Sequence, residues 1–282
     1  MPADDYSAAY DALLERWKIP VTTLDVPGEF GTTRVNVCGP EGGAPLVLLH
    51  GGRTASPGWF ANAAELGREH RVYAIDTMGD PGRSVNDGRP VASRADLARW
   101  LDELIDSLDL RDAAADYCGH SLGAWQVLSF ALRAPQRVRR LVLLDPTQCF
   151  AGFRPACLWH AALGFLPGRS AENYLRWESR GAHLDPQWLE FQLLSATATT
   201  GKLVAARKPS AEQLSSLTAP TLILLAERSR VHDVAKVREV VRRTLPDAVI
   251  ETLPGVSHHM IPFERAEELN RQLLTFLQQE FR

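Results

Sequence analysis

The feature that most constrains this chain is an alternation. Short apolar runs, each about a strand long, are separated by longer amphipathic stretches, and the pattern repeats along most of the 282 residues. A short apolar run fits a strand buried on both faces, and an amphipathic stretch between two such runs fits the helix that crosses back over the sheet. Together they predict an α/β fold on a mostly parallel sheet.

Val21 to Val26 and Thr32 to Cys38 flank Pro27-Gly28-Glu29 and read as an opening antiparallel hairpin. Leu46 to Leu49, Val72 to Asp76, Ala114 to Cys118, Val138 to Leu144, Thr221 to Ala226 and Ala248 to Leu253 follow, for a total of about eight strands. Between the fourth and fifth runs, Leu97, Trp100, Leu101, Leu104, Ile105 and Leu108 share one face of a helix over Arg94 to Leu108, with Ser93 and Asp96 as a capping pair. A second amphipathic helix, from Glu264 to Phe281, closes the chain.

The rhythm breaks once, between Thr147 and Ser210, where helix-like pieces (Pro155 to Leu166, Ala171 to Arg180, Pro186 to Ala198) replace the strands. We expect a helical insertion at residues 147–210 on a single core domain made of residues 1–146 and 211–282. Trp159, Trp177, Trp188, Phe150, Phe153, Phe165 and Phe191 lie there. They either hold a small helical layer together or line an apolar pocket beneath it.

Composition narrows the functional classes. Lys plus Arg number 31 against 34 Asp plus Glu, a formal net charge of -3 that offers no footprint for a nucleic acid. No apolar run approaches the roughly 18 residues a bilayer span needs. The acidic N-terminus, Met1-Pro2-Ala3-Asp4-Asp5-Tyr6, lacks the basic start and apolar core of a secretory signal, so a cytoplasmic protein with no membrane association is expected. Cys38, Cys118, Cys149 and Cys157 form no CxxC pair and read as buried small residues. The basic cluster Arg137, Arg139 and Arg140 reads as solvated surface.

The chemistry concentrates in five residues, Gly119-His120-Ser121-Leu122-Gly123, directly after the run ending at Cys118 and directly before an apolar helix. In a G-x-S-x-G elbow the chain turns sharply from strand to helix and presents the serine at a helix N-terminus. A chance match in a chain this long has a probability of roughly 0.1, so the strand-turn-helix context carries the argument. Acyl transfer also needs donors for an oxyanion. The N–H of Leu122 is one candidate; the N–H of Gly52, in His50-Gly51-Gly52-Arg53 after the third strand, is the other. His50 reads as a structural residue pinning that loop.

A serine hydroxyl needs a base, and Pro254-Gly255-Val256-Ser257-His258-His259 after the last strand supplies histidines. Spacing from the strand favours His258; counting back from Glu264 favours His259. No metal-ligand spacing is present, and the glycine-rich Gly79 to Ser84 lacks both GxGxxG and a P-loop lysine, so neither metal nor cofactor is expected.

With His50-Gly51-Gly52, Asp76-Thr77-Met78-Gly79-Asp80-Pro81-Gly82-Arg83-Ser84, the elbow at Ser121 and the late histidine loop in this order, the chain resembles an α/β-hydrolase of the lid-bearing serine esterase type. The resemblance spans about residues 46 to 265 and implies a lid at Thr147 to Ser210, a Ser/His/acid triad and no cofactor. The sequence departs from the family at the acid. After the seventh strand, in Ala226-Glu227-Arg228-Ser229-Arg230-Val231-His232-Asp233, the expected position holds Ser229. Asp145, which ends the sixth strand before Pro146, is the first alternative, because some lidded relatives draw their acid from there. Asp233 is the second, although it could equally cap a following helix, and Glu227 is a third.

The reading is a serine hydrolase of a small, largely apolar ester or thioester, with Ser121, His258 and Asp145 catalytic. Carbon–carbon bond hydrolysis, acyl transfer, or a binding protein that has lost turnover are the rivals. The small-molecule substrate is the expected partner, and assembly as a homodimer is left open.

Overall fold

The computed structural model describes residues 3–110, 114–163, 171–198 and 204–280. Phe165, the end of the piece read over Pro155 to Leu166, and Phe281 lie outside them. Eight strands form one sheet: β1 (Val21–Gly28), β2 (Gly31–Cys38), β3 (Ala44–Leu49), β4 (His70–Ile75), β5 (Ala115–His120), β6 (Val138–Leu144), β7 (Thr221–Ala226) and β8 (Val249–Leu253), in the order β1-β2-β4-β3-β5-β6-β7-β8. β1 pairs antiparallel with β2 and β2 with β4, and every later pairing is parallel.

Among the described residues ten α-helices accompany the sheet: α1 (Ala3–Glu15), α2 (Ala63–Leu66), α3 (Arg94–Ser107), α4 (Leu122–Arg133), α5 (Pro155–Leu163), α6 (Ala171–Glu178), α7 (Pro186–Thr197), α8 (Ala211–Ser215), α9 (Val234–Thr244) and α10 (Ala266–Leu277). Successive strand side chains point to opposite faces, so each apolar run feeds two cores. Val47, Leu49, Leu141, Leu143, Ile223 and Leu225 join one face with Leu101, Val127 and Val241. Leu46, Leu48, Val142, Leu144, Leu222 and Leu224 join the other with Tyr10, Trp17, Leu269 and Leu273. This two-sided burial is why β3 and β7 carry no polar alternation.

Local signals act as expected at α3, where the Ser93 hydroxyl accepts from the Asp96 N–H (3.2 Å) and donates to its carboxylate (2.7 Å). The opening turn is tighter than read. Pairing continues to Gly28 opposite Gly31, leaving Glu29 and Phe30 as the loop, and Gly31 takes φ 120. Helix α10 starts at Ala266 rather than Glu264, because Arg265 adopts a left-handed φ of 59 and ends the preceding turns. The arginine cluster is not simple solvated surface. Arg139 and Arg140 reach the fully buried Asp116 at 2.5 and 3.5 Å, and Arg137 reaches Asp106 at 2.6 Å. All four cysteines are free and buried. Among the described residues no helix is long and apolar enough to cross a membrane.

After β3 the chain crosses to β4 on one side, and it then returns to place β5 on the other. Strand order reverses there, which opens a crevice at the carboxyl ends of β3 and β5, the place where open α/β sheets bind ligands.

Candidate active site

Ser121 sits in that crevice, between the end of β5 and the first residue of α4, at φ 54 and ψ −112. A non-glycine residue held there stores about 1–3 kcal/mol of backbone strain, so the surroundings must impose it. Its N–H donates to the Leu144 carbonyl (2.9 Å), while its carbonyl accepts from Trp125 (3.3 Å) and Thr147 (3.4 Å). The flanking glycines serve close packing. A Cβ on Gly123 would lie 2.3 Å from the Leu49 carbonyl oxygen, and one on Gly119 would lie 2.4 Å from the Gly123 carbonyl carbon. The left-handed conformation falls on the serine itself.

Parallel pairing of His120 with Leu144 brings Ser121 and Asp145 to the same sheet edge. Ser121 Oγ is 2.8 Å from His258 Nε2, and His258 Nδ1 is 2.6 Å from Asp145 Oδ2. Asp145 is fully buried; its Oδ1 accepts from the Ala226 N–H at the end of β7 (3.0 Å), and its own N–H donates to Leu224 (2.7 Å). The other sequence candidates lie elsewhere. His258, not His259, meets Ser121. Asp233 caps α9, accepting from the Lys236 N–H (3.2 Å), with its side chain half exposed and Arg154 at 3.7 Å. Glu227 accepts from the Gly255 N–H (2.7 Å), and the Ser229 hydroxyl is buried without a hydrogen-bond partner among the described residues.

The electrostatics follow from burial and pairing. Burial alone would raise the Asp145 pKa, but the His232 and His258 imidazoles hold it well below the usual carboxylate range. His258 is lowered, since burial outweighs its hydrogen bond to Asp145. At rest, therefore, the pair is a carboxylate and a neutral imidazole, with the Nδ1–H facing the carboxylate and Nε2 free to accept the serine proton. His120 is driven well below its ordinary value by burial and by its neighbours His258 and His259. It stays neutral and donates Nε2–H to the His258 carbonyl (2.9 Å).

The N–H of Leu122 opens α4, where intrahelical partners are missing, and Gly52 follows β3 on the opposite lip of the crevice. The two approach closely: a Cβ on Gly52 would lie 3.1 Å from Leu122 Cδ2. His50 holds this loop, its Nε2 accepting from the Thr77 N–H (3.0 Å), in keeping with a structural role. A cleft of about 490 Å³ opens over Ser121, walled by Gly52, Trp59, Trp188, Gln192, His259 and Phe263. Of the seven Trp and Phe residues of the insertion, Trp188 alone lines this cleft among the described residues, packing on Phe263 with centroids 4.9 Å apart. Phe150 and Phe191 are core, and Trp159 is 66% exposed.

Two residues beside the site carry no motif in the sequence. His232 Nε2 lies 3.1 Å from Asp145 Oδ1, in charge contact but outside hydrogen-bond geometry, as neither of its ring nitrogens has a hydrogen-bond partner among the described residues. Burial lowers the His232 pKa, and the charge of Asp145 together with its close side-chain contact raises it by more, for a net upward shift. Glu178, at the end of α6, is fully buried against the loop that carries His258 and His259.

An open sheet of this strand order, with a strained serine elbow after β5, defines the α/β-hydrolase fold. The chain belongs to the alpha/beta hydrolase family, whose sequence model matches residues 46–272. It is 30% identical over 278 residues to the carboxylesterase YbfK of Bacillus subtilis, covering 95% of this chain and 92% of that protein. The crystal structure of carboxylesterase CesB (YbfK) from Bacillus subtilis superposes with a TM-score of 0.90 at 28% identity, covering 98% of each chain. That of naproxen esterase (carboxylesterase NP) from Bacillus subtilis superposes with a TM-score of 0.89 at 27% identity, covering 99% of this chain and all (100%) of that one.

Proposed function

We propose that this chain is a serine hydrolase that cleaves a small, largely apolar carboxylic ester or thioester through an acyl-enzyme on Ser121. The observation that carries the reading is the continuous relay Ser121 Oγ to His258 Nε2 at 2.8 Å and His258 Nδ1 to Asp145 Oδ2 at 2.6 Å. Ser121 Oγ attacks the carbonyl carbon as His258 takes its proton, and Asp145 holds the imidazole in the required tautomer and stabilises the imidazolium. The Leu122 and Gly52 N–H groups donate to the oxyanion. The intermediate collapses with breakage of the ester C–O or thioester C–S bond, and His258 returns the proton to the leaving alcohol or thiol. Water then attacks the acyl-enzyme with the same base, releasing the acid and freeing Ser121.

Residues 147–210 act as a lid over the core, which is formed by 1–146 and 211–282. Support comes from α7, which places Trp188 and Gln192 on the cleft wall. The aromatic wall of Trp59, Trp188 and Phe263 suits an apolar acyl or alcohol group. Both solved relatives compared above are called esterases, in line with ester rather than carbon–carbon cleavage. The carboxylate at Asp145 weighs against a binding protein that lost turnover for want of an acid.

The experiment is presteady-state hydrolysis of a panel of p-nitrophenyl esters of increasing acyl length. A burst of about one equivalent of p-nitrophenol per chain, with turnover varying across the panel, supports the reading; linear release at the rate of the Ser121→Ala variant contradicts it.

A further inference from the structure

Glu178 ties the insertion to the core through a buried charge. Its carboxylate is fully buried and accepts four N–H groups: His258 N–H (3.0 Å) and Arg230 N–H (3.5 Å) on Oε1, and His259 N–H (3.2 Å) and His259 Nδ1 (3.0 Å) on Oε2. No Lys or Arg forms an ion pair with it among the described residues. Arg230, the nearest candidate, donates its guanidinium to the Trp177 carbonyl (2.7 Å) and lies over the Trp177 ring (4.9 Å). A buried carboxylate needs hydrogen bonds to offset its lost hydration, and here the donors are the backbone N–H groups of His258, His259 and Arg230 and the His259 imidazole.

The His258 and His259 N–H groups belong to the two peptides on either side of the His258 Cα. A bidentate carboxylate that grips both fixes those two peptide planes, and with them the direction in which the His258 side chain leaves the backbone. The other side of the same residue is also held, since the His258 carbonyl accepts from His120 Nε2 (2.9 Å). The imidazole that meets Ser121 therefore hangs from a backbone braced at both its N–H and its C=O by buried side chains, one from the elbow and one from the insertion.

We propose that Glu178 is a positioning residue for the reaction: it reaches from α6 beneath the histidine loop, sets His258 against Ser121, and lends negative charge to the imidazolium formed during attack. This rests on the acyl-enzyme reading above. The charged and titratable groups facing His258 are Asp145 after β6, His120 at the end of β5, His259 beside it, Glu178 on α6, and His232 across Asp145, its ring 6.2 Å away. Of these, Asp145 and Glu178 are the carboxylates.

The test compares wild type with Glu178→Gln and Glu178→Asp on a p-nitrophenyl ester across pH, with melting temperature measured for each. In Glu178→Gln the amide oxygen can keep the His258 and Arg230 N–H groups, but its NH₂ faces the two His259 donors, and the charge is gone. We expect kcat to fall about 10- to 100-fold with KM within about twofold, and the acid limb of kcat/KM to move to lower pH because His258 loses its proton more readily. Glu178→Asp keeps the charge but draws it back by one methylene. It should lower kcat with the acid limb at the wild-type position, and it carries the test if the Gln variant does not fold. A folded Glu178→Gln with an unmoved pH profile, or a folded Glu178→Asp with wild-type kcat, overturns the proposal. Ser121→Ala runs alongside: ester hydrolysis that survives it overturns the acyl-enzyme reading and this one together, whereas failure of the Glu178 effects alone leaves Ser121 dependence intact.

Discussion

Asp145→Asn tests the least conventional assignment at this site, and the structure sets its size. The wild-type position needs two acceptors: Oδ1 for the Ala226 N–H at 3.0 Å and Oδ2 for the His258 Nδ1–H at 2.6 Å. An asparagine has only one amide oxygen. If that oxygen stays on Ala226, the NH₂ opposes Nδ1–H, and His258 relieves the clash by moving its proton to Nε2, where it can no longer accept from Ser121. If the amide flips, the oxygen restores Nδ1–H but the buried Ala226 N–H is orphaned at about 1–3 kcal/mol, and the charge that stabilised the imidazolium is absent in either case. Loss of the right tautomer and of the charge together corresponds to a kcat fall of about 10³- to 10⁴-fold, or about 4–5.5 kcal/mol of transition-state stabilisation. The assay is steady-state hydrolysis of a p-nitrophenyl ester with Asp233→Asn as the companion, since asparagine at 233 still caps α9 and should leave kcat within about twofold. Thermal unfolding of both variants separates lost chemistry from lost fold. If Asp145→Asn keeps more than about a tenth of wild-type kcat while Asp233→Asn loses orders of magnitude, the reasoning is refuted.

Three further outcomes follow from the same geometry. Because His258 must be neutral to act as base and burial holds its pKa below 6.5, kcat/KM should rise with pH along an acid limb centred below 6.5 and run flat through neutrality; a midpoint above 6.5 would show that the base lies elsewhere. The φ of 54 at Ser121 suits glycine better than any L-residue, so Ser121→Gly should melt above Ser121→Ala by about 1 kcal/mol, roughly 2 °C for a chain of this size, in differential scanning calorimetry. The reverse order would mean that the elbow is not strained. Burial pushes Glu178 upward, but its bond to the His259 ring, the charges of the His259 and His258 imidazoles and the His258 N–H together pull it from its ordinary 4.5 to about 2. A depressed carboxylate stabilises the fold above its unfolded pKa and loses that contribution as pH falls towards the folded one. Denaturant titrations from pH 4.5 down to 2 should therefore show a loss of up to about 3 kcal/mol in wild type that is missing from Glu178→Gln; parallel curves for the two proteins would contradict it.

The central strands were legible because β3, β6 and β7 are buried along most of their length and left nearly uninterrupted apolar runs. Ser121 was legible because the elbow needs glycine on both sides of the turn, though for packing against Leu49 rather than for the left-handed angle, which the serine itself bears. Asp145 could be found from its place at a strand end once Ser229 was seen to hold the usual acid position. The sequence already put it ahead of Asp233; the β5/β6 register and the α9 cap add the geometric reasons. Choosing between adjacent histidines was harder, since a one-residue shift in a loop of turns reverses which ring meets Ser121. His232 and Glu178 left no local signal. Each acts through contacts across the fold, Glu178 from 80 residues before His258, and neither spacing nor periodicity encodes such a contact. Helix α1 was not read as an element at all, yet Tyr10 on it donates to the buried Asp76 (3.0 Å).

The central claim is that Ser121 Oγ is an activated nucleophile, and covalent trapping tests it most directly. The protein is incubated with a fluorophosphonate and the adduct is read by intact mass and mapped by peptide sequencing. One phosphonyl group per chain is expected, on Ser121, formed with the same pH dependence as ester turnover and absent from Ser121→Ala. An unmodified protein, or a label on any other residue while Ser121 stays free, would contradict it.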